Sequence, residues 1–295
     1  MTTISICPVC GGNEFSAFRS CTDYTVSRET FELVTCTTCG LTITNPQPDP
    51  ENIGYYYQSE NYISHSGKGT SLVGKTYLAV RRYTLGWKLN LINKLNPAAT
   101  KKLLDYGCGT GEFISTCKQN GWQVTGVEPS DDVRTKAEAL SNSPVLPNLS
   151  LVKDNDFTTI TLWHVLEHVP DLNALLTQLR SILSENGTIF IAIPNHNSWE
   201  AQHYEQYWAG YDVPRHLWHF TQDTMKALLE KNELKLNRII PMKLDAFYIS
   251  MLSEKYKHNT NTILGIMKAF ANGLKSNLLA KRNMEYSSLI YVVKK

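Results

Sequence analysis

The sequence contains no apolar run of 18 residues, no export-signal pattern in its first residues and no excess of charge. The first absence leaves no segment that reads as a membrane-spanning helix. The N-terminus, MTTISICPVC, has neither the basic start nor the apolar segment of an export signal. A soluble, cytoplasmic protein is expected. Lysines and arginines total 29 against 27 acids, a net of +2, so the chain as a whole has no polyanion-binding character. Low-complexity tracts and internal repeats are also missing. What remains is enough for a packed core: 295 residues, 42% hydrophobic and 19% charged. That suits one large domain, or one of about 200 residues with a smaller attachment.

Seven cysteines in a reducing compartment point to metal binding or burial rather than disulfides. Four of them form two C-x2-C pairs, Cys7 with Cys10 and Cys36 with Cys39, separated by 25 residues. Gly11 and Gly40 follow the pairs and supply the permissive backbone of a tight metal-binding turn. The spacing predicts a zinc ribbon over residues 1–45, a small β module stabilised by its metal. Four thiolates close the coordination sphere, so this zinc is structural. Residues 46–98 read as a proline-marked linker and a helical lid. The helix is predicted over 75–95, with Leu78, Leu85, Leu89 and Ile92 on its apolar side. Between residues 74 and 102 there are seven basic residues and no acid. This is either a solvated face beside the acidic stretch that follows or a contact surface for phosphate or membrane.

From Lys101 onward, short apolar strands alternate with amphipathic helices. KKLLDY, WQVTGVE, TTITLW and GTIFIAIP read as strands, the last preceded by a turn at Asn186-Gly187. Residues 99–295 are therefore expected to form an α/β, Rossmann-like doubly wound sheet. Two excursions, 194–220 and 242–287, would act as a helical cap. Asp105-Tyr-Gly-Cys-Gly-Thr-Gly111 joins the first of these strands to a helix. Its alternating glycines bring backbone close to a ligand at a helix N-terminus. Glu128 ends the second strand, where an acid can accept both hydroxyls of a ribose. WHVLEHVPD follows the strand TTITLW.

Together LLDYGCGTGEF, VTGVEPS and LWHVLEHVPD resemble the class I S-adenosylmethionine-dependent methyltransferases over roughly residues 100–240. The resemblance implies that the loop of Gly107, Gly109 and Gly111 wraps the methionine end of the cofactor. It implies that Asp105 lies near the cofactor's amino group, that Glu128 holds the ribose, and that His164 follows near the methyl group. An adenine-binding acid is left unassigned between Asp154 and Asp156. With the N-terminal cysteines, the chain is similar to bacterial methyltransferases of sugar and cell-surface polysaccharide clusters. The sugar C-methyltransferases of that group carry Tyr-x-Glu-His after the fifth strand. Here the sequence is YDVPRHLWHF at 211–220, which argues against carbon methylation and keeps oxygen and nitrogen acceptors open.

Residues 194–220 hold four of the eight histidines. Methylation of a hydroxyl benefits from a base near neutrality, and histidine is the usual choice. His216 and His219 lead, with His164 as competitor. Arg215 is either an acceptor-binding or a structural cation. The expected reaction is methyl transfer to a polar small molecule, a sugar or nucleotide-linked sugar. The alternatives are an RNA methyltransferase gripping phosphates with the zinc module and basic helix, and a non-catalytic scaffold. Nucleic acid is the weaker partner because residues 1–45 carry Arg19 and Arg28 against four acids. A homo-oligomer is left open.

Overall fold

The computed structural model describes residues 1–58, 72–96, 100–258 and 262–295, with residues 72–79 described by their backbone alone. Part of the tyrosine-rich lid segment, including Tyr62, and the side chain of Leu78 therefore lie outside the described residues.

The expected doubly wound sheet is present. It is built from β4 (Lys102–Tyr106), β5 (Gln123–Val127), β6 (Val145–Leu146), β7 (Phe157–Trp163), β8 (Leu183–Pro194), β10 (Lys235–Pro241) and β11 (Ser288–Lys294). Their order is β10-β11-β8-β7-β4-β5-β6. β11 runs antiparallel to both of its neighbours, whereas the pairs from β8 to β6 are parallel. Strand alternation sends consecutive side chains to opposite faces. Leu103 joins the core with Leu89 and Ile92 of α1 (Leu72–Leu95), and with Phe113, Ile114 and Cys117 of α2 (Glu112–Gln119). Leu104, its neighbour, joins the core with Leu175, Leu176 and Leu179 of α4 (Leu172–Ile182) and Leu228 of α6 (Gln222–Lys231). Between these, α3 (Asp131–Ser141) packs Ala137 on the first face. Asp171 caps α4 by accepting from the Ala174 N–H at 2.9 Å, and Thr221 caps α6 through a reciprocal bond with Thr224.

The Asn186-Gly187 turn lies inside β8 rather than before it. Register with β7 jumps from Phe157–Leu183 to Thr159–Thr188, so the extra residues bulge out while the chain stays extended.

The N-terminal strands β1 (Phe15–Thr22), β2 (Thr30–Cys36) and β3 (Thr42–Thr44) do not form a closed sheet. β9 (Trp218–His219), from the cap segment, pairs with β3 and completes a four-stranded sheet. Cys7, Val9, Cys36, Leu41 and Ile43 share one core with α4 and α6. Tyr204, Trp208 and Tyr211 of the cap pack with Phe31, Leu33 and Tyr56. Trp208 and Trp218 are thus core residues, and Trp218 donates its indole N–H to Val169 O at 2.7 Å.

Arg215 ties these pieces together. Its guanidinium is 1% exposed and donates to Asp23 Oδ1 at 2.9 Å, Asp212 Oδ1 at 2.7 Å and the Tyr56 carbonyl at 2.8 Å. Burial would push the Asp23 carboxyl up, but Arg215 and the local backbone N–H groups hold it below the usual range. Removing one member leaves buried charge uncompensated. Asp23→Ala should therefore lower unfolding free energy by about 3–5 kcal/mol, measured as a shift of the urea midpoint. A change within error would mean that the network does not lock the N-terminal hairpin to the cap.

Candidate active site

The parallel strands aim their carboxyl ends at one edge of the sheet, where open α/β folds bind ligands. β4 turns there into the glycine loop, and the loop opens α2. Gly107, Gly109 and Gly111 all have positive φ, at 74°, 54° and 85°. Their surroundings differ. A Cβ on Gly107 would come within 2.5 Å of Val165, and one on Gly111 within 2.8 Å of the Ala137 Cα. Among the described residues no atom lies within 4 Å of that position at Gly109, so the loop crest is free of them. Glu128 braces the crest from the end of β5. Its Oε2 accepts the Gly109 N–H at 3.1 Å and its Oε1 the Ser130 N–H at 3.0 Å.

Asp105 is buried at the end of β4 and accepts from the Thr161 hydroxyl at 2.6 Å. Burial pushes its carboxyl up to about 7, against the opposing pull of Thr161 and Lys88. Lys88 reaches the same place from α1, with Nζ 4.3 Å from the Trp163 ring centroid. Desolvation lowers its pKa, opposed by Asp105 and Asp245.

His164 follows β7 with φ 58°, a strained conformation for this residue type. Its Nε2 lies 3.0 Å from Asp245 Oδ2 and its Nδ1 3.4 Å from Glu167 Oε1. Burial alone would lower its pKa, but the two carboxylates raise it to about 9. Asp245 opens α7 (Asp245–His258), so the second excursion reaches the strand ends. Glu167 is fully buried, and neither of its carboxylate oxygens has a hydrogen-bond partner among the described residues. Burial works against its charge, but His164, His216 and His168 hold it ionised.

His216 is buried beside it. Its Nδ1 lies 2.9 Å from the Gly210 carbonyl, which can only accept, so Nδ1 carries a proton and donates it there. That Nε2 is 4.0 Å from Glu167 Oε1 and 3.9 Å from Asp212 Oδ2. His168 crosses it edge-on, with ring centroids 4.6 Å apart, and its Nδ1 lies 3.0 Å from both Tyr57 Oη and the Arg215 carbonyl. His219 is elsewhere: it sits in β9, buried, with Nε2 3.0 Å from Thr44 Oγ1. Burial first, then His216 and His196, hold it well below its ordinary pKa. Asp154 and Asp156 both pair with Lys102, the first residue of β4, at the sheet edge opposite the glycine loop. The carboxyl end of β6, followed by Pro147 and Asn148, occupies the loop side instead, where Leu146 O accepts the Glu128 N–H at 2.9 Å.

Among the described residues, two groups bring ligand atoms within 4.8 Å of one another: the four cysteines, and Glu167 with His168 and His216. In the first, Cys7 Sγ lies 3.5 Å from Cys39 Sγ and Cys10 Sγ 3.6 Å from Cys36 Sγ. The two knuckles repeat one pattern, with Gly11 N–H bonded to Cys7 O and Gly40 N–H to Cys36 O, both at 2.9 Å.

Residues 78–238 match the family model for a methyltransferase domain, over more than half of the chain. The chain belongs to that family. Over 118 residues it is 27% identical to a ubiquinone biosynthesis O-methyltransferase of Albidiferax ferrireducens, covering 37% of this chain and 47% of that one. The chain thus spans about half the length of the curated relatives it matches. Among solved structures, the geranyl diphosphate C-methyltransferase of Streptomyces coelicolor A3(2) aligns with TM-score 0.54 and 12% identity, covering 84% of this chain and 99% of that one. The magnesium protoporphyrin IX methyltransferase of Synechocystis PCC 6803 aligns with TM-score 0.54 and 15% identity, covering 84% and 100%. At these identities the likeness is one of fold, the class I methyltransferase fold.

In this methyltransferase, neither Lys88, inside the matched residues, nor Asp245, beyond them, is legible in the sequence. Lys88 sits in an ordinary amphipathic helix, and Asp245 lies 81 residues from its partner His164. The glycines separate by test. Gly111→Ala should destabilise the fold, because its Cβ would strike α3. Gly109→Ala should keep the fold to within about 1–2 kcal/mol of left-handed strain and weaken S-adenosylhomocysteine binding in calorimetry. Equal affinity in the Gly109 variant would remove the crest from the site.

Proposed function

We propose that this protein methylates a hydroxyl of a polar small molecule, a sugar or related metabolite, with S-adenosylmethionine as donor. The open crest at Gly109, with its N–H bound by Glu128, carries the cofactor reading. The residues suit such a ligand. Asp105, pushed up by burial, gains from an adjacent ammonium, which fits the amino group of the methionine end. Each Glu128 oxygen accepts one bond within the protein and retains a lone pair for a ribose hydroxyl. Gly107 and Gly111 let the loop pack closely against Val165, after β7, and Ala137 of α3. The cofactor supplies an already activated methyl group, so the protein's share is positioning, exclusion of water and removal of a proton.

His216 is the proposed base. The acceptor hydroxyl would give its proton to Nε2 as the methyl–oxygen bond forms and the donor's methyl–sulfur bond breaks, leaving a neutral thioether. The Glu167 and Asp212 carboxylates then stabilise the imidazolium that forms. His164, held protonated at neutral pH by Asp245 and Glu167, has no lone pair to offer and serves to position α7. His219 is a hydrogen-bonded residue of the β3–β9 contact. A small-molecule acceptor is supported by the O-methyltransferase relatives and by the acidic balance of residues 1–45, which suits phosphate backbones poorly. Calorimetry with S-adenosylhomocysteine tests the cofactor assignment, and absence of binding to folded, metal-loaded protein would overturn it. His216→Ala should cut kcat by about 10²–10⁴ while cofactor affinity stays the same. A turnover loss that merely follows a loss of affinity would point to a structural histidine.

The four cysteines are proposed to hold one structural zinc. Tetrahedral coordination at Zn–S of about 2.3 Å requires sulfurs about 3.8 Å apart, close to the separations of both sulfur pairs. Metal analysis should find about one zinc per chain. Chelation or Cys36→Ser should lower thermal stability, and full stability without metal would reject the site.

A further inference from the structure

Helix α8 (Ile263–Ala280) presents its large apolar residues to solvent and its small ones to the protein. Ile263, Leu264, Met267 and Phe270 are 79%, 76%, 64% and 60% exposed, and Leu274 and Leu278 continue the stripe. The buried face is Ala269, Gly273, Ser276 and Ala280. This orientation is imposed by packing. A Cβ on Gly273 would lie 3.0 Å from the Ala246 carbonyl and from the Phe247 Cα of α7, so the two helices meet backbone to backbone. Rotating α8 to bury its leucines would force side chains into that contact. An exposed apolar stripe this long is uncommon on a soluble monomer and marks a contact surface.

The charge around it selects the occupant. From Lys255 to Met284 there are six lysines or arginines and no acid. Lys255, Lys257, Lys268, Lys275, Lys281 and Arg282 are all exposed. Lys268 is partly neutralised by Glu254 at 3.3 Å, and Lys275 lies over the Trp199 ring at 4.5 Å. A second copy docking through this stripe in a two-fold arrangement would set one basic surface against another. An anionic bilayer supplies the missing counter-charge, and basic residues bordering a helical apolar stripe are the pattern of an interfacial helix.

We propose that α8 docks this protein on an anionic lipid surface, burying the stripe from Ile263 to Leu278 at the headgroup boundary. No helix among the described residues is long and apolar enough to cross a membrane, so the association is peripheral. It does not depend on the methyl-transfer reading.

The test is flotation of the full-length, metal-loaded protein with vesicles of phosphatidylglycerol and phosphatidylcholine, beside vesicles of phosphatidylcholine alone. Binding should be at least about tenfold stronger to the anionic vesicles and should weaken in high salt. The combined variant Ile263→Ser, Leu264→Ser, Met267→Ser should lose at least about tenfold in vesicle affinity with an unchanged melting temperature, since all three side chains are exposed. Lys275→Glu with Lys281→Glu should weaken the anionic binding alone. Equal, weak binding to both vesicle types would overturn the proposal. So would light scattering that finds a dimer dissolved by the serine variant, because the occupant would then be a second copy.

Discussion

A guanidinium with 1% of its surface in water is the constraint around which the chain is organised. Arg215 cannot shed its charge, so its burial requires anions and carbonyls from every direction. Asp23 comes from the N-terminal hairpin, Asp212 from the cap and the Tyr56 carbonyl from the linker. Three stretches distant in sequence are thereby held at one point. The next residue, His216, inherits a fixed position, and Asp212 serves both the arginine and the face of that histidine. The N-terminal module thus fixes the segment that carries His216.

The charged groups at the carboxyl ends of the parallel strands alternate in sign. Lys88 stands between Asp105 and Asp245, His164 between Asp245 and Glu167, and Glu167 beside His164 and His216. Each buried carboxylate has a cation or imidazole against it, which makes an ionised interior tolerable. Asp105 and Glu128 are exceptions: burial outweighs the help that Asp105 receives from Thr161 and Lys88, and the help that Glu128 receives from the Ser130 and Gly109 N–H groups.

The two excursions have different work. Residues 194–220 bury their aromatic side chains against β1 and β2 and bring His216 to Glu167. Residues 242–287 attach through Asp245 at one end and turn a basic, apolar face outward at the other. Composition does not distinguish them, since both are rich in apolar residues. Packing does, because the first finds a partner sheet, whereas in the second α8 meets α7 through Gly273, a Phe270–Phe247 stack and polar contacts to Glu254 and leaves most of its large apolar residues outward.

The sequence by itself determined the alternation of strands and helices, the glycine loop, the acid closing β5 and the two cysteine knuckles. Each is a local pattern, read from spacings of a few residues that backbone geometry demands. Tertiary structure decided what distance in the chain conceals. It paired β9 with β3, made Arg215 an internal cross-link, drew Lys88 and Asp245 to the strand ends, and sent Asp154 and Asp156 to the far edge of the sheet. It also separated the histidines, setting Nε2 of His216 against Glu167 and closing His219 onto Thr44. Proton placement on an imidazole depends on which acceptor meets each nitrogen, and those acceptors arrive from segments that only the folded chain brings together.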